Sequence, residues 1–455
     1  MKPNHSSTPP SSLLSLLSSF FSPLSSLFSP SFFLWLLLAL ILLTFAQENN
    51  QGPLAWGALP LNLPWRIGPL ALLPLLPAVN LMRQWRSEAW TWGDWRVSAA
   101  LVVLTAVSIP AILHTQQWAS AISLALCWLI YLSLVNVPRD KAIRPLFWLL
   151  CLVILIQGSV GIAQFISQHD LGLTWFGEPA LNPQQPGISV VYHQGERWLR
   201  AYGLNSHPNR LGLKLTMLLL MLWPYRQPSA MRHHKQRLAA ILFWTTLLIG
   251  LGGLLTSLSR SAWLALAAGG GIYGVSWLRQ KGWRQRPLLP TDLRIPILIL
   301  IIGLGLFAFV YGDTVSGRVA RLDTPLESRS LAERSRDSDL AWQLFQAEPW
   351  RGVGLGEFVP AAKTLDPFAG VVHHVALLMA AEMGIPGLLG WLLLLIVPLL
   401  RPHLLTQYAP QTAVWLAVLI ITQFQPEPTP YQIQGAALWG MAAALWAYPQ
   451  TAKQP

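Results

Sequence analysis

Apolar runs of roughly 17 to 25 residues, long enough to cross a hydrocarbon core about 30 Å thick, recur along this chain so often that no single water-soluble core can bury them all. They fall near 32–46, 67–82, 97–113, 117–135, 145–167, 204–223, 238–256, 261–278, 294–311, 373–400, 412–424 and 432–448. Inside lipid every backbone N–H and C=O must find its partner within the protein, which a helix does along its own length. The pattern predicts an all-α polytopic membrane protein of about twelve transmembrane helices, with a transmembrane domain over 32–448. Pro69, Pro74 and Pro77 make the second run irregular, which is tolerated only where neighbouring helices take up the freed backbone groups. The composition agrees, with 53% hydrophobic residues, 11% charged residues and 23 tryptophans, far from the usual mix of a soluble domain.

The short connections near 82–96, 136–145, 224–237, 279–294 and 401–411 hold 16 Lys and Arg, and the alternating set near 47–66, 114–118, 168–200, 257–260 and 425–431 holds 4. By the positive-inside rule the first set faces the cytoplasm, which puts both termini inside and the 168–203 and 312–372 segments outside. The net charge of +12 then lies mostly against anionic headgroups of the inner leaflet, so membrane lipids are the expected partner and no nucleic acid is required. Arg83 to Arg96 interleaves bases with Trp85, Trp90, Trp92 and Trp95, a pattern that single-strand binding also uses. At the edge of a span it reads as an interfacial anchor.

Residues 1–31 alternate Ser, Leu, Phe and Pro. Leu13, Leu16, Leu17, Phe20, Phe21, Leu24, Leu27 and Phe28 share one helical face, as expected of a disordered segment or an interfacial amphipathic helix bent at Pro23. Few bases precede its apolar residues and no small-x-small site follows, which argues against a cleaved signal peptide. Cys127 and Cys151 both lie within apolar spans and imply neither a disulfide framework nor a metal site.

The 312–372 segment carries nine acids and seven bases between two apolar stretches, as expected of a catalytic loop laid over a membrane domain. Four motifs stand on the same predicted side. Arg200-Ala-Tyr-Gly203-Leu-Asn-Ser-His207-Pro208-Asn209 ends the first outer loop. An Arg beside a helix N-terminus suits a phosphate, and also suits a snorkelling cap. Ser257-Leu-Ser259-Arg260-Ser261 forms a short turn between spans, where a cation either snorkels or points to a buried anion. Arg334 to Trp342 reads as a helix leading into Glu348-Pro349-Trp350-Arg351-Gly352-Val-Gly354-Leu-Gly356, whose glycines permit tight turns near a ligand. No lysine, Ser/Thr or preceding strand accompanies them, so this is not a P-loop. His373-His374 then opens the tenth span. A histidine at that interface can take a proton from an attacking hydroxyl or simply cap the helix. Glu382, inside the span, needs a partner or a role.

Together these elements resemble the O-antigen ligase and O-antigen polymerase superfamily, bacterial membrane proteins that transfer lipid-linked glycans. The resemblance covers about 145–400. It rests on Arg200-x-x-Gly203-x-x-x-His207-Pro208-Asn209, on Ser259-Arg260, on Arg334 ahead of Pro349 and Gly352-Val-Gly354-Leu-Gly356, and on His373 ahead of Glu382-x-Gly384-Ile-Pro-Gly387. Two positions depart from the family pattern: Ser338 stands where a tryptophan is usual, and His374 where an asparagine is. The resemblance implies a GT-C-like fold with short helices in a large periplasmic loop, located in the bacterial inner membrane. It also implies transfer of a glycan from undecaprenyl diphosphate to an acceptor hydroxyl, on a lipid A-core or another glycan, without metal or cofactor. In that scheme His373 is the general base and Arg200, Arg260 and Arg334 neutralise the diphosphate, with His207, Asn209, Ser259, His374 and Glu382 in support.

The same resemblance leaves a polymerase of the lipid-linked glycan and a protein O-oligosaccharyltransferase open. A transporter is the rival from another class, because some relatives carry a bicarbonate-transporter label. Those relatives lack the histidine opening the tenth span, so its presence here favours an enzyme.

Overall fold

The computed structural model describes residues 30–43, 73–85, 90–226, 233–279, 291–319, 325–426 and 428–447. Nearly all of the 1–31 segment, much of the 67–82 run and the middle of the Arg83–Arg96 stretch therefore lie outside the described residues. Among those described, the chain forms fourteen helices and one hairpin. In order they are α1 (Pro30–Leu43), α2 (Leu75–Trp85), α3 (Trp95–Thr115), α4 (Trp118–Val135), α5 (Arg139–Ser167), β1 (Val190–His193), β2 (Glu196–Leu199), α6 (Pro208–Leu222) and α7 (His233–Thr256). After these come α8 (Arg260–Arg279), α9 (Thr291–Val319), α10 (Pro325–Ala347), α11 (Phe358–Leu365), α12 (Val375–Ile396), α13 (Ala409–Ile421) and α14 (Ile433–Leu445).

Five stretches are long and apolar enough to cross a membrane: Trp95–Thr115, Trp118–Val135, Lys141–Ser167, Arg237–Thr256 and Val375–Leu399. At about 1.5 Å per residue the 21 residues of α3 reach across a hydrocarbon core. Phe32–Leu43, Ile301–Ser316, Ala409–Ile421 and Ile433–Leu445 are apolar but shorter. The protein is a mostly helical integral membrane protein.

The hairpin corrects the all-α expectation. Val190, Val191 and Tyr192 face Leu199, Trp198 and Arg197 in antiparallel register, and Gln194-Gly195 forms the two-residue turn with φ of 50° and 86°. Two consecutive positive φ values with glycine second match the turn whose twist suits a hairpin, and the flanking β-branched and aromatic residues favour strands. The hairpin docks on α9 through a ring cluster of Phe165, His193, Trp198, Phe307 and Tyr311, with neighbouring centroids 5.0 to 6.2 Å apart. His193 Nδ1 also meets Thr314 Oγ1 at 2.8 Å, and the backbone of α9 bends at Tyr311.

In the core, α13 packs on α8, α5 on α7, α14 on α4 and α12 on α3. Four fully buried tryptophans, Trp391, Trp415, Trp439 and Trp446, meet edge to face where α12, α13 and α14 join. Two of their indoles are satisfied by carbonyls, Trp415 Nε1 to Leu395 O at 3.0 Å and Trp439 Nε1 to Pro428 O at 2.9 Å, as a dry interior requires. Elsewhere Asp94 caps α3 through the amides of Arg96 and Val97 and pairs with Arg401, whose guanidinium lies over Tyr408 and Trp446. One ion pair thereby ties the start of α3 to the beginning of α13 and the end of α14.

The helix α12 breaks at Gly384, where φ is 63° and ψ −160°, a conformation essentially confined to glycine. Pro386 follows and its ring cannot tolerate an unbroken helical turn. The glycine run takes up the freed backbone: Val353 N donates to Ala381 O, Gly354 N to Glu382 O and Ile385 N to Pro349 O, at 2.8 to 2.9 Å. The tight turns expected of Gly352, Gly354 and Gly356 are present, at φ of 66°, 108° and 78°; Gly352 lies against this helix break, whereas Gly354 and Gly356 lie against Thr115 and Gln117 where α3 meets α4.

Candidate active site

Arg200 follows β2 and is 4% exposed. Its Nε donates to Ser257 O at 2.9 Å, Nη1 to Ser189 Oγ at 2.8 Å, and Nη2 to Asn209 Oδ1 at 2.8 Å and Leu258 O at 3.4 Å. The guanidinium fork is thus occupied by the protein. It joins the residue just before β1, the first turn of α6 and the turn between α7 and α8. Three segments distant in the chain meet at this one side chain, which carries a full charge into the interior where hydrogen bonding is required to hold it.

His207 caps α6, its Nδ1 accepting from Asn209 N at 3.1 Å, and Pro208 occupies the first helical position, where a missing N–H costs nothing. Burial, followed by the nearby charges of Arg200, Arg210, His373 and Arg334, holds His207 well below its ordinary value. An imidazole beside that many cations stays neutral.

Ser259 and Arg260 open α8. Gln425, from the segment after α13, is fully buried and donates to Ser259 Oγ at 3.3 Å and Ser261 Oγ at 2.6 Å. Its Oε1 is buried without a hydrogen-bond partner. Close by, Val375 N donates to Thr422 O at 2.9 Å, so the start of α12 and the Ser259 turn are fastened to the same short stretch.

The 312–372 segment contains α10, longer than the predicted Arg334–Trp342 helix, and α11. One face of α10 carries Arg334, Asp337 and Ala341, spaced as same-side neighbours; Asp337 and Ala341 are buried. Ser338 Oγ bonds back to Arg334 O at 2.8 Å, a local bond where the family pattern has a packed indole. The helix α12 begins at Val375, so the two histidines precede it. His374 is the N-cap, its Nδ1 accepting from Leu377 N at 3.3 Å, the task an asparagine would perform there. His373 is free of that duty, and its Nδ1 is buried without a hydrogen-bond partner. Burial and then Arg334 push His373 down to about 4, with Asp337, the Val371 backbone and Glu333 acting in the opposite sense.

Glu382 Oε1 accepts from Phe358 N at 3.4 Å, at the first residue of α11. The carboxylate inside the apolar helix therefore has a structural partner: it holds the start of α11 and the glycine run against the α12 break.

The charges of Arg200, Arg210, His373 and Arg334 all act on His207, and that of Arg334 acts on His373 as well, while hydrogen bonds link Arg200 to the turn that leads into Ser259 and Arg260. Arg210, Asp337 and Gln425 were not singled out from sequence. Arg210 lay one residue past the Arg200–Asn209 motif, whereas nothing local marks the bond from Gly370, 33 residues away, to Asp337, or those from Gln425 to serines 164 or more residues away. Among the described residues no three His, Cys, Asp or Glu side chains cluster closely enough to hold a metal ion.

The sequence model of the family described as O-antigen ligase matches residues 245–392. That interval contains Arg260, Arg334, His373 and Glu382. It leaves Arg200, His207 and Asn209 outside, joined to it by the contacts above. No curated protein matches the chain.

Proposed function

We propose that this chain is a membrane enzyme of the O-antigen ligase kind, moving a glycan from undecaprenyl diphosphate to an acceptor hydroxyl on the periplasmic face of the inner membrane; the match of that family's model to residues 245–392 supports this reading. In this reading the chain spans the membrane about twelve times with both termini in the cytoplasm. Residues 168–203 and 312–372 form the outer loops. The observation that carries it is His373: an imidazole held neutral by burial and by the charge of Arg334, with one ring nitrogen buried and unbonded.

The acceptor O–H gives its proton to the imidazole while its oxygen bonds to the anomeric carbon. The bond from that carbon to the diphosphate oxygen breaks, and the electron pair leaves with the diphosphate. Arg334 and Arg260 offset the charge that grows on the leaving group, where fixed cations act most strongly in a water-poor site. Arg200 has its donors committed to Ser189, Ser257, Leu258 and Asn209. It contributes long-range charge and holds the Ser259-Arg260 turn, which modifies the direct diphosphate contact the resemblance implies.

A buried, neutral imidazole beside the Arg334 cation is a weak base in the free enzyme. Binding an anionic diphosphate cancels part of the Arg334 field and raises its basicity at the moment it is needed. Purified protein given labelled lipid-linked glycan and acceptor is expected to transfer in the presence of EDTA, and His373→Ala to abolish transfer. Undiminished transfer by that variant removes the assignment. In a deletion strain, polymer left on the lipid carrier identifies a ligase, and single repeat units left there identify a polymerase.

A further inference from the structure

Asp337 is 3% exposed on the outer segment. A buried carboxylate is costly unless hydrogen-bonded, and this one has three bonds: from Gly370 N at 3.0 Å, from Arg336 Nη2 at 2.9 Å and from Arg336 Nε at 3.2 Å. Every one of them falls on Oδ1. The other oxygen lies so close to the backbone that a Cβ on Gly370 would stand 2.9 Å from Oδ2. Gly370 is three residues ahead of His373, so the carboxylate grips the chain where it enters the proposed base.

Fastening a loop needs only an acceptor, and a neutral Asn would supply one. The charge demands its own explanation. Asp337 stands three residues after Arg334 on α10, a spacing that puts both on one face. Arg336 is partly solvent-exposed and also reaches Asp366 at 3.6 Å, so its charge is screened and shared. The charged groups whose fields act on His373 are Glu333, Arg334 and Asp337 from α10; His207 at the start of α6 feels the charge of His373 in turn, and His374 is beside it in the chain. Asp337 is the buried carboxylate in that set.

Resting on the glycan-transfer reading above, we propose that Asp337 is a positioning residue for His373: it fixes the approach of the chain through Gly370 and sets a negative charge against Arg334, so that the imidazole can accept the acceptor's proton and be stabilised as a cation. The logic is that of a carboxylate supporting a protonated histidine at one remove. No new co-reactant enters. The proton goes from the acceptor hydroxyl to His373 and from there to water after the product leaves.

The test compares Asp337→Asn, which keeps the Gly370 acceptor and removes the charge, with Asp337→Ala, which removes both. Full-length protein carrying 15N-histidine is titrated by NMR, with His373→Ala supplying the resonance assignment, and glycan transfer is followed on the same preparations. Asp337→Asn is expected to lower the His373 midpoint by roughly one unit and kcat by about 10- to 100-fold, with KM for the donor unchanged and unfolding temperature near wild type. Asp337→Ala is expected to lose stability as well. An unshifted His373 midpoint in Asp337→Asn overturns the proposal and leaves Asp337 a loop fastener. The glycan-transfer reading fails by a separate sign, full activity in His373→Ala, while the NMR midpoint still reports whether Asp337 acts on the imidazole.

Discussion

Arg200 Nη2 donates to Asn209 Oδ1 at 2.8 Å, and this bond fixes how the segment after β2 meets the first turn of α6. The same guanidinium holds the Ser257 carbonyl at 2.9 Å ahead of Arg260. Lysine presents a single ammonium and cannot reproduce a planar fork with bonds in several directions. Arg200→Lys is therefore expected to strand buried acceptors, each costing about 1–3 kcal/mol, and to lower the unfolding temperature in detergent as well as activity. Arg334→Lys, by contrast, is expected to lower kcat more than stability. Equal thermal stability of Arg200→Lys and the unmodified protein would contradict the captive role of this side chain.

The depressed His373 predicts a split between two pH profiles. For the free enzyme, reported by kcat/KM, the acid limb is expected at about 4, where the imidazole finally protonates and ceases to be a base. Once an anionic donor sits against Arg334, protonation becomes easier and the acid limb of kcat moves up toward the ordinary histidine value. Coincident limbs in the two profiles would show that the bound donor does not touch the histidine's field.

Stability follows the same groups with a definite sign. His373 and His207 bind protons less readily folded than unfolded, so between about 4 and the unfolded value of 6.5 the unfolded chain holds more protons. Stability then rises with pH across that window and is lost as pH falls through it. Replacing His207 by Gln, which keeps a side-chain acceptor without a titrating group, is expected to flatten this acid dependence in thermal melts at pH 4.5 and 7.

The mostly helical fold was legible because lipid imposes length and apolarity on any segment that crosses it; of the twelve expected spans, five are long and apolar enough among the described residues. The arginines and histidines were legible for the related reason that a charge at an interface must be accounted for. What each one touches was not. Arg200 reads in sequence equally as an anion ligand or a snorkelling cap, and only the folded chain reveals that Ser189, Ser257 and Leu258 occupy its donors. Glu382 announced that it needed a partner, but the partner is a backbone amide at Phe358, and amides carry no sequence label. The hairpin did leave a signal, Gln194-Gly195 between Val190-Val191-Tyr192 and Trp198-Leu199, which the dominance of the helical pattern masked.

His374 tests whether the departure from the usual asparagine is a loss or a substitution of means. Its Nδ1 accepts from Leu377 N at 3.3 Å, the bond an Asn side chain makes at this position. His374→Asn is expected to leave unfolding temperature and transfer unchanged, and His374→Ala to cost about 1 kcal/mol by exposing the amide at the start of α12. A large activity loss in His374→Asn would instead give this imidazole a chemical task beside His373.

Gly352 and Gly384 hold the glycine run against the broken helix from opposite sides. A Cβ on Gly352 would lie 2.3 Å from the Glu382 carbonyl carbon, and one on Gly384 2.5 Å from Pro349 O; backbone atoms cannot rotate away, and both residues have positive φ. Either substitution by alanine is expected to cost about 1–3 kcal/mol from strain alone, and more if the Ile385–Pro349 and Val353–Ala381 bonds open. Because both changes dismantle one interface, the double variant should cost less than the sum of the two. Thermal melts of the singles and the double in detergent measure this directly. Strict additivity would mean that the two glycines serve separate structures, and that the loop before Phe358 is not held in place by the break in α12.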